Sequence, residues 1–188
     1  MKGKVKCVHG YAVAALAYPW VAEAHPFHWA SESIGFVGGL LHPLTSLEHL
    51  LTMLVVGLWV AQMNGRTVYA MPALFAVLMM AGVGLAVFSA EIAHADIVMA
   101  SSALLLLISV CLGGRLPAYL SMPIVANLAM FHGYQHAYDI WLDADAMTYT
   151  GGFATATLIL IVAGVGAGRL ARWLSVKFVL GGLVKRLS

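Results

Sequence analysis

The stretch TVYAMPALFAVLMMAGVGLAVFSA, residues 67–90, contains no charged side chain. An apolar segment of this length meets the roughly 20 residues that a helix needs to cross a bilayer. Uncharged runs also occupy residues 50–65, 97–114, 116–131 and 146–168. The chain has 188 residues, 62% of them hydrophobic and 10% charged, and a mean hydropathy of +0.90. That mix lies outside the range of soluble domains. The expected fold class is all-α: a polytopic membrane helical bundle of about five to six core helices, preceded by an N-terminal signal-like segment. The turns between the runs are too short to hold a second domain.

The net charge of +2 does not point to nucleic acid, because the basic residues are scattered at predicted membrane edges. Cys7 and Cys111 sit in apolar contexts and suggest no disulfide framework. Lys2, Lys4 and Lys6 precede an apolar stretch, and Ala22-Glu23-Ala24 is a small-x-small site, so residues 1–24 read as a signal peptide or an uncleaved first helix. Residues 25–172 form the expected bundle, and residues 173–188 a short C-terminal helix or tail.

Helices are predicted from Thr45 to about Gln62, over about 68–88, up to about Leu112, from Pro117 to about Asp139, and over about 148–169. Residues 34–41 are too short to cross alone. They read as a re-entrant or broken start to the first core helix, or as a helix that begins early and kinks at Pro43. Arg66, Arg115, Arg169 and Arg172 fall at alternate ends, whereas the turns with Glu91/Asp96 and Asp143/Asp145 carry no Lys or Arg. The positive-inside rule puts the basic turns in the cytoplasm. The expected location is a bacterial-type cytoplasmic membrane.

That topology gathers His42, Glu48, His49, Glu91, His94, His132, His136 and Asp139 in the outer half of the bundle or at its outer edge. His132, His136 and Asp139 fall close to one line on a helix face. Glu48 also has a structural job available, since Thr45-Ser46-Leu47-Glu48 fits a capping box with Thr45 as N-cap. A lone membrane histidine is more often a packing residue than a ligand. A cluster of histidines and carboxylates at one end of a small bundle is costly and tends to mark a site or pathway. Imidazole with carboxylate suits borderline divalent ions such as Ni, Co, Fe or Zn. Gly133, beside His132, leaves room for another helix or a hydrated ion. His25 and His28 would capture an ion only loosely. Ser101, Ser102, Ser109, Asn127, Thr155 and Thr157 are the small polar candidates for an onward path, and each can bond to its own backbone.

These residues resemble the HupE/UreJ group, small membrane proteins associated with nickel and cobalt supply to hydrogenase and urease. The family's first signature, a histidine, five residues and then Asp-His, is similar to His42 through Glu48-His49, with glutamate for aspartate. Its second, Phe-His-Gly-x-Ala-His-Gly-x-Glu, is similar to FHGYQHAYD at residues 131–139. Ala137 stands for a glycine there, Asp139 for glutamate, and Ile161 where many members carry histidine. VVGLWVAQMNGR and GGFATATLILIVAG also look like family stretches, so the resemblance covers roughly residues 25–168. It implies that His42, Glu48, His49, His132, His136 and Asp139 handle the metal.

The expected function is transport of a divalent transition-metal ion, nickel or cobalt by resemblance. The ion is substrate, with no tightly bound cofactor. With no Walker motif, energy would come from the ion gradient, the membrane potential or a separate partner. One alternative is a membrane accessory protein that binds or delivers metal to a metalloenzyme. Another is an intramembrane metallohydrolase, against which His132-Gly133 lacks the glutamate of the zincin pattern. The chain is therefore not expected to be an enzyme. Expected partners are membrane lipid, the metal ion and metalloenzyme maturation proteins.

Overall fold

The computed structural model describes residues 34–88, 92–112 and 117–187; the side chains of Asp96, Ala118, Tyr138, Asp139 and residues 178–187 lie outside that description. The readings made for residues 1–24, His25, His28, Glu91 and Arg115 also fall outside it. Among the described residues the chain forms six helices: α1 (Gly35–Thr45), α2 (Leu47–Val60), α3 (Thr67–Phe88), α4 (Ala95–Cys111), α5 (Ala118–Leu142) and α6 (Ala146–Leu187).

Two helical segments are long and apolar enough to cross a membrane, Thr67–Phe88 and Ala146–Lys177. α1 and α2 meet at a 77° bend and together qualify as a broken third. The apolar part of α4, Ile97–Cys111, is shorter. Many large side chains on the outside are apolar, among them Tyr69, Val77, Phe88, Leu104 and Ile159. Water would penalise such a surface and lipid would not, so the chain has integral membrane character.

The break between α1 and α2 falls at Ser46. α1 runs through Pro43, and Ser46 adopts an extended conformation before α2 starts. Ser46, not Thr45, is the N-cap: its hydroxyl accepts the His49 N–H at 3.4 Å. The Thr45 hydroxyl turns back to the Leu41 carbonyl at 3.0 Å. The predicted capping box is therefore displaced by one residue, and Glu48 stands in the first turn without completing it. α6 runs unbroken through residues 173–187, the stretch read from the sequence as a short C-terminal helix or tail. No proline follows Pro123 in the chain, so nothing forces a stop.

α1 and α2 lie successively along α6, α3 packs on α5, and α4 sits against α5 and α2. The close crossings are made by reciprocal glycines. A Cβ at Gly39 would strike the Tyr149 carbonyl and one at Gly152 the Phe36 carbonyl; Gly57 and Gly164 do the same for α2 on α6, and Gly82 and Gly133 for α3 on α5. Such small-residue contacts let backbones approach where lipid gives no hydrophobic drive for helix association. Met53, Val56, Phe75, Met79, Leu128, Phe153 and Ile161 fill the space between the helices.

Polar bonds tie the two ends. At one end the Asp143 carboxylate accepts the Gly35 N–H at 3.1 and 3.2 Å, and the Ile92 N–H donates to the Tyr134 hydroxyl at 2.8 Å. At the other the Gln62 amide donates to the Val110 carbonyl at 2.9 Å, and the Arg172 guanidinium donates to the Ala61 carbonyl.

Candidate metal centre

The bend at Ser46 builds the site. In a straight helix His42 and His49 would stand two turns, about 10.5 Å, apart along the axis. The bend brings their ring centroids to 6.4 Å. From α5, His132 and His136 project one turn apart, with ring centroids 4.8 Å from each other. Gly133 seats this part of α5 against the Met79 carbonyl of α3. Of the two uses open to that glycine, close approach of a helix is the one realised.

Four imidazoles converge. His132 Nε2 lies 2.7 Å from His49 Nδ1, and His42 Nε2 lies 3.1 Å from His136 Nδ1. Ring centroids are 4.3 Å apart for His49 and His132, 4.9 Å for His42 and His136, and 5.3 Å for His49 and His136. His49, His132 and His136 each offer one ligand atom within 4.8 Å of the others. Zinc-type sites need metal–nitrogen distances of about 2.0–2.1 Å, which puts two ligand atoms of one ion at most about 4.2 Å apart, so the group must draw together further to hold an ion. The arrangement is a potential histidine-based metal site.

The surroundings are apolar on one side and carry a carboxyl group on another. His49 and His132 are fully buried. Phe153 of α6 packs against His49, His136 and His42 with centroid distances of 4.9, 5.5 and 5.7 Å. Glu48 is half-buried in the first turn of α2, in electrostatic reach of His136. Asp139 belongs to α5, one turn beyond His136, and its side chain is outside the description. His94 stands apart as the residue before α4, exposed and with a left-handed backbone (φ 63).

Sequence reasoning missed Met79 and took Thr157 only as a small polar candidate for an onward path. Ser101 and Ser102 bond to the Val98 carbonyl, Asn127 to that of Pro123 and Thr155 to that of Gly151, as expected of small polar residues in helices. Ser109 and Thr157 do not. The buried Ser109 hydroxyl has no hydrogen-bond partner among the described residues, and the Thr157 hydroxyl lies 3.1 Å from His49 Nε2 and 3.9 Å from Met79 Sδ. A threonine in an apolar helix looks the same in sequence whichever way it bonds. Met79 is one methionine among ten.

Comparison with known proteins bears on this pattern directly. The profile of the HupE / UreJ protein family matches residues 13–187, most of the chain. The chain belongs to the HupE/UreJ family. Protein HupE of Rhizobium leguminosarum bv. viciae is similar to it, 32% identical over 158 residues that cover 84% of this chain and 81% of that protein. No solved structure gives a significant match. In HupE/UreJ terms, the residues quoted for the two signatures lie on three helices, and the histidines among them meet at one place in the bundle.

Proposed function

We propose that this HupE/UreJ protein is a membrane permease for a divalent transition-metal ion, nickel or cobalt by family resemblance, and that His42, Glu48, His49, His132, His136 and Asp139 form its metal-handling set. The observation that carries the reading is the group of three histidines with ligand atoms within 4.8 Å of one another. Along α5, at 1.5 Å per residue, His136 lies about 10 Å and His132 about 15 Å from the α5–α6 turn. Those depths fall between the outer edge and the middle of a hydrocarbon layer about 30 Å thick. Neutral imidazoles supply nitrogen to a borderline ion, and the carboxylates offset its charge. Membrane ionisable groups without such a task are costly.

In this reading the broken α1–α2 pair, α3, α4, α5 and α6 make the crossings. The Arg66 and Arg169/Arg172 ends face the cytoplasm of a bacterial-type inner membrane, and the Asp143/Asp145 turn faces outward. An ion sheds water at the outer mouth near Glu48 and Asp139 and passes to His42 and His136, then to the buried pair His49 and His132. Onward release requires the packing around Met53, Phe75 and Ile161, which is fully buried, to open. That apolar floor also favours a second reading, an accessory protein that holds the ion for delivery to a metalloenzyme partner without passing it through.

Isothermal titration of the solubilised protein with Ni²⁺ and with Co²⁺ tests the site. A saturable site in the wild type that is lost in His132→Ala, in protein verified as folded, is the expected result. Equal binding by the two proteins would remove the cluster from the account.

A further inference from the structure

The hydrogen bonds around His49 and His132 form a chain that can run in only two directions. In the first, the Thr157 oxygen accepts His49 Nε2–H, His49 Nδ1 accepts His132 Nε2–H, and the Thr157 hydroxyl proton goes to Met79 Sδ. In the second, the Thr157 hydroxyl donates to His49 Nε2, and His49 Nδ1–H donates to His132 Nε2. The far end of the chain is His132 Nδ1, which is buried and has no hydrogen-bond partner among the described residues.

The two directions differ at that nitrogen. The first leaves a lone pair there, and the second leaves an N–H. For backbone groups, buried N–H without a partner is rarer than an under-used acceptor, and we extend the same preference to the imidazole. The first direction also gives the Thr157 proton an acceptor in the Met79 thioether, which the second forgoes. We propose that Thr157 is a positioning residue that sets the tautomers of His49 and His132 and so presents His132 Nδ1 as a bare nitrogen ready to ligate the metal ion. The inference rests on the metal reading of the cluster and adds to it an atom and a residue that the family signatures do not contain. Outer partners of ligating histidines commonly work this way, fixing ring orientation and tautomer.

The consequence is a division of labour. Thr157 contributes from α6, a helix that carries no histidine, and couples that helix to the cluster by one hydrogen bond. His132 needs no proton removed from Nδ1 before an ion binds there, whereas His49, whose Nδ1 accepts the His132 Nε2–H, ligates only once that hydrogen bond gives way.

Solid-state NMR of protein labelled with ¹³C,¹⁵N-histidine in lipid bilayers, without metal, reads the tautomers; His49→Asn and His132→Asn identify the resonances. Both rings are expected as Nε2–H tautomers in the wild type. Thr157→Val, which keeps the branched shape and removes the hydroxyl, is expected to shift His49 to a mixture and to weaken Co²⁺ binding about tenfold. Thr157→Ser is expected to restore the wild-type spectrum and affinity to within about threefold. An Nδ1–H tautomer at His132 in the wild type overturns the inference with no variant needed. Unchanged tautomers and Co²⁺ affinity in a folded Thr157→Val also overturn it, while leaving the metal site intact. Absence of Co²⁺ binding in the wild type would instead defeat the metal reading, and the spectra would still decide the direction of the chain.

Discussion

His132 is fully buried, shares one ring nitrogen with His49 and keeps the other unpartnered among the described residues. A polar side chain that served packing alone would leave the cost of that second nitrogen unrelieved; a bound ion relieves it. Ligands of different exposure should then differ in weight. His132→Ala is expected to lower Ni²⁺ or Co²⁺ affinity by at least about 100-fold, since removing even outer partners of a ligand costs 10–100-fold. Asp139→Asn, beyond His136 toward the helix end, should leave a reduced but saturable affinity; titration calorimetry ranks the two. Acidification should act in the same sense as His132→Ala. Imidazole ligates only when neutral and ordinarily titrates near pH 6.5, so protons compete with the ion as pH falls. Apparent affinity should drop between about pH 7.5 and about pH 5.5, and that dependence should shrink when His132 and His136 are both replaced. A flat profile in folded protein would mean that these nitrogens are not ligands.

At the scale of the helices, the crossings that set the site depend on missing side chains. Gly133 and Gly82 meet the α3–α5 crossing backbone to backbone, and an added methyl at either has no flexible atom to displace. Gly133→Ala and Gly82→Ala should each destabilise the bundle by about 1–3 kcal/mol, as overpacking does. Gly84→Ala is the control, because nothing lies within 4 Å of the place its Cβ would take; thermal unfolding in detergent should leave it at or above wild type. Asp143 pins the start of α1 through Gly35, a bond between a carboxylate and the positive end of a helix. Asp143→Ala should speed hydrogen exchange over α1 and cost about 1.5–3 kcal/mol, the range for a hydrogen bond to a charged group. Faster exchange everywhere except α1 would refute that role.

The helices and the histidines were legible in the sequence because their determinants are local: uncharged runs give helices, and His132 with His136 recurs at one helical turn. Only two of those helices, or three with the bent α1–α2 pair, are long and apolar enough to span. The break at Ser46 was only half legible. Pro43 suggested a kink at itself, yet α1 tolerates it, and the chain turns where Ser46 goes extended and caps α2. The role of Thr157 was not legible at all, since the same residue bonds its own backbone in most helices and its partner here is 108 positions away.

For the whole molecule, the architecture is two packed units, α1–α2 on α6 and α3 on α5, with the histidine cluster drawn from both and α4 alongside. Under the permease reading, a site shared between units would have a direct route to alternating access: relative movement would separate His42 and His49 from His132 and His136 and weaken the ion's hold. An accessory protein has no need of that movement, and the distinction is measurable. Uptake of radiolabelled Ni²⁺ and Co²⁺ into liposomes containing the purified protein, against matched liposomes with His132→Ala inserted to the same level, tests the central claim most directly. Permeation predicts saturable accumulation of label inside the wild-type liposomes, beyond one ion per protein, and none above background in His132→Ala. Label that stops at one ion per wild-type protein, or accumulates equally in both, would contradict transport through the cluster.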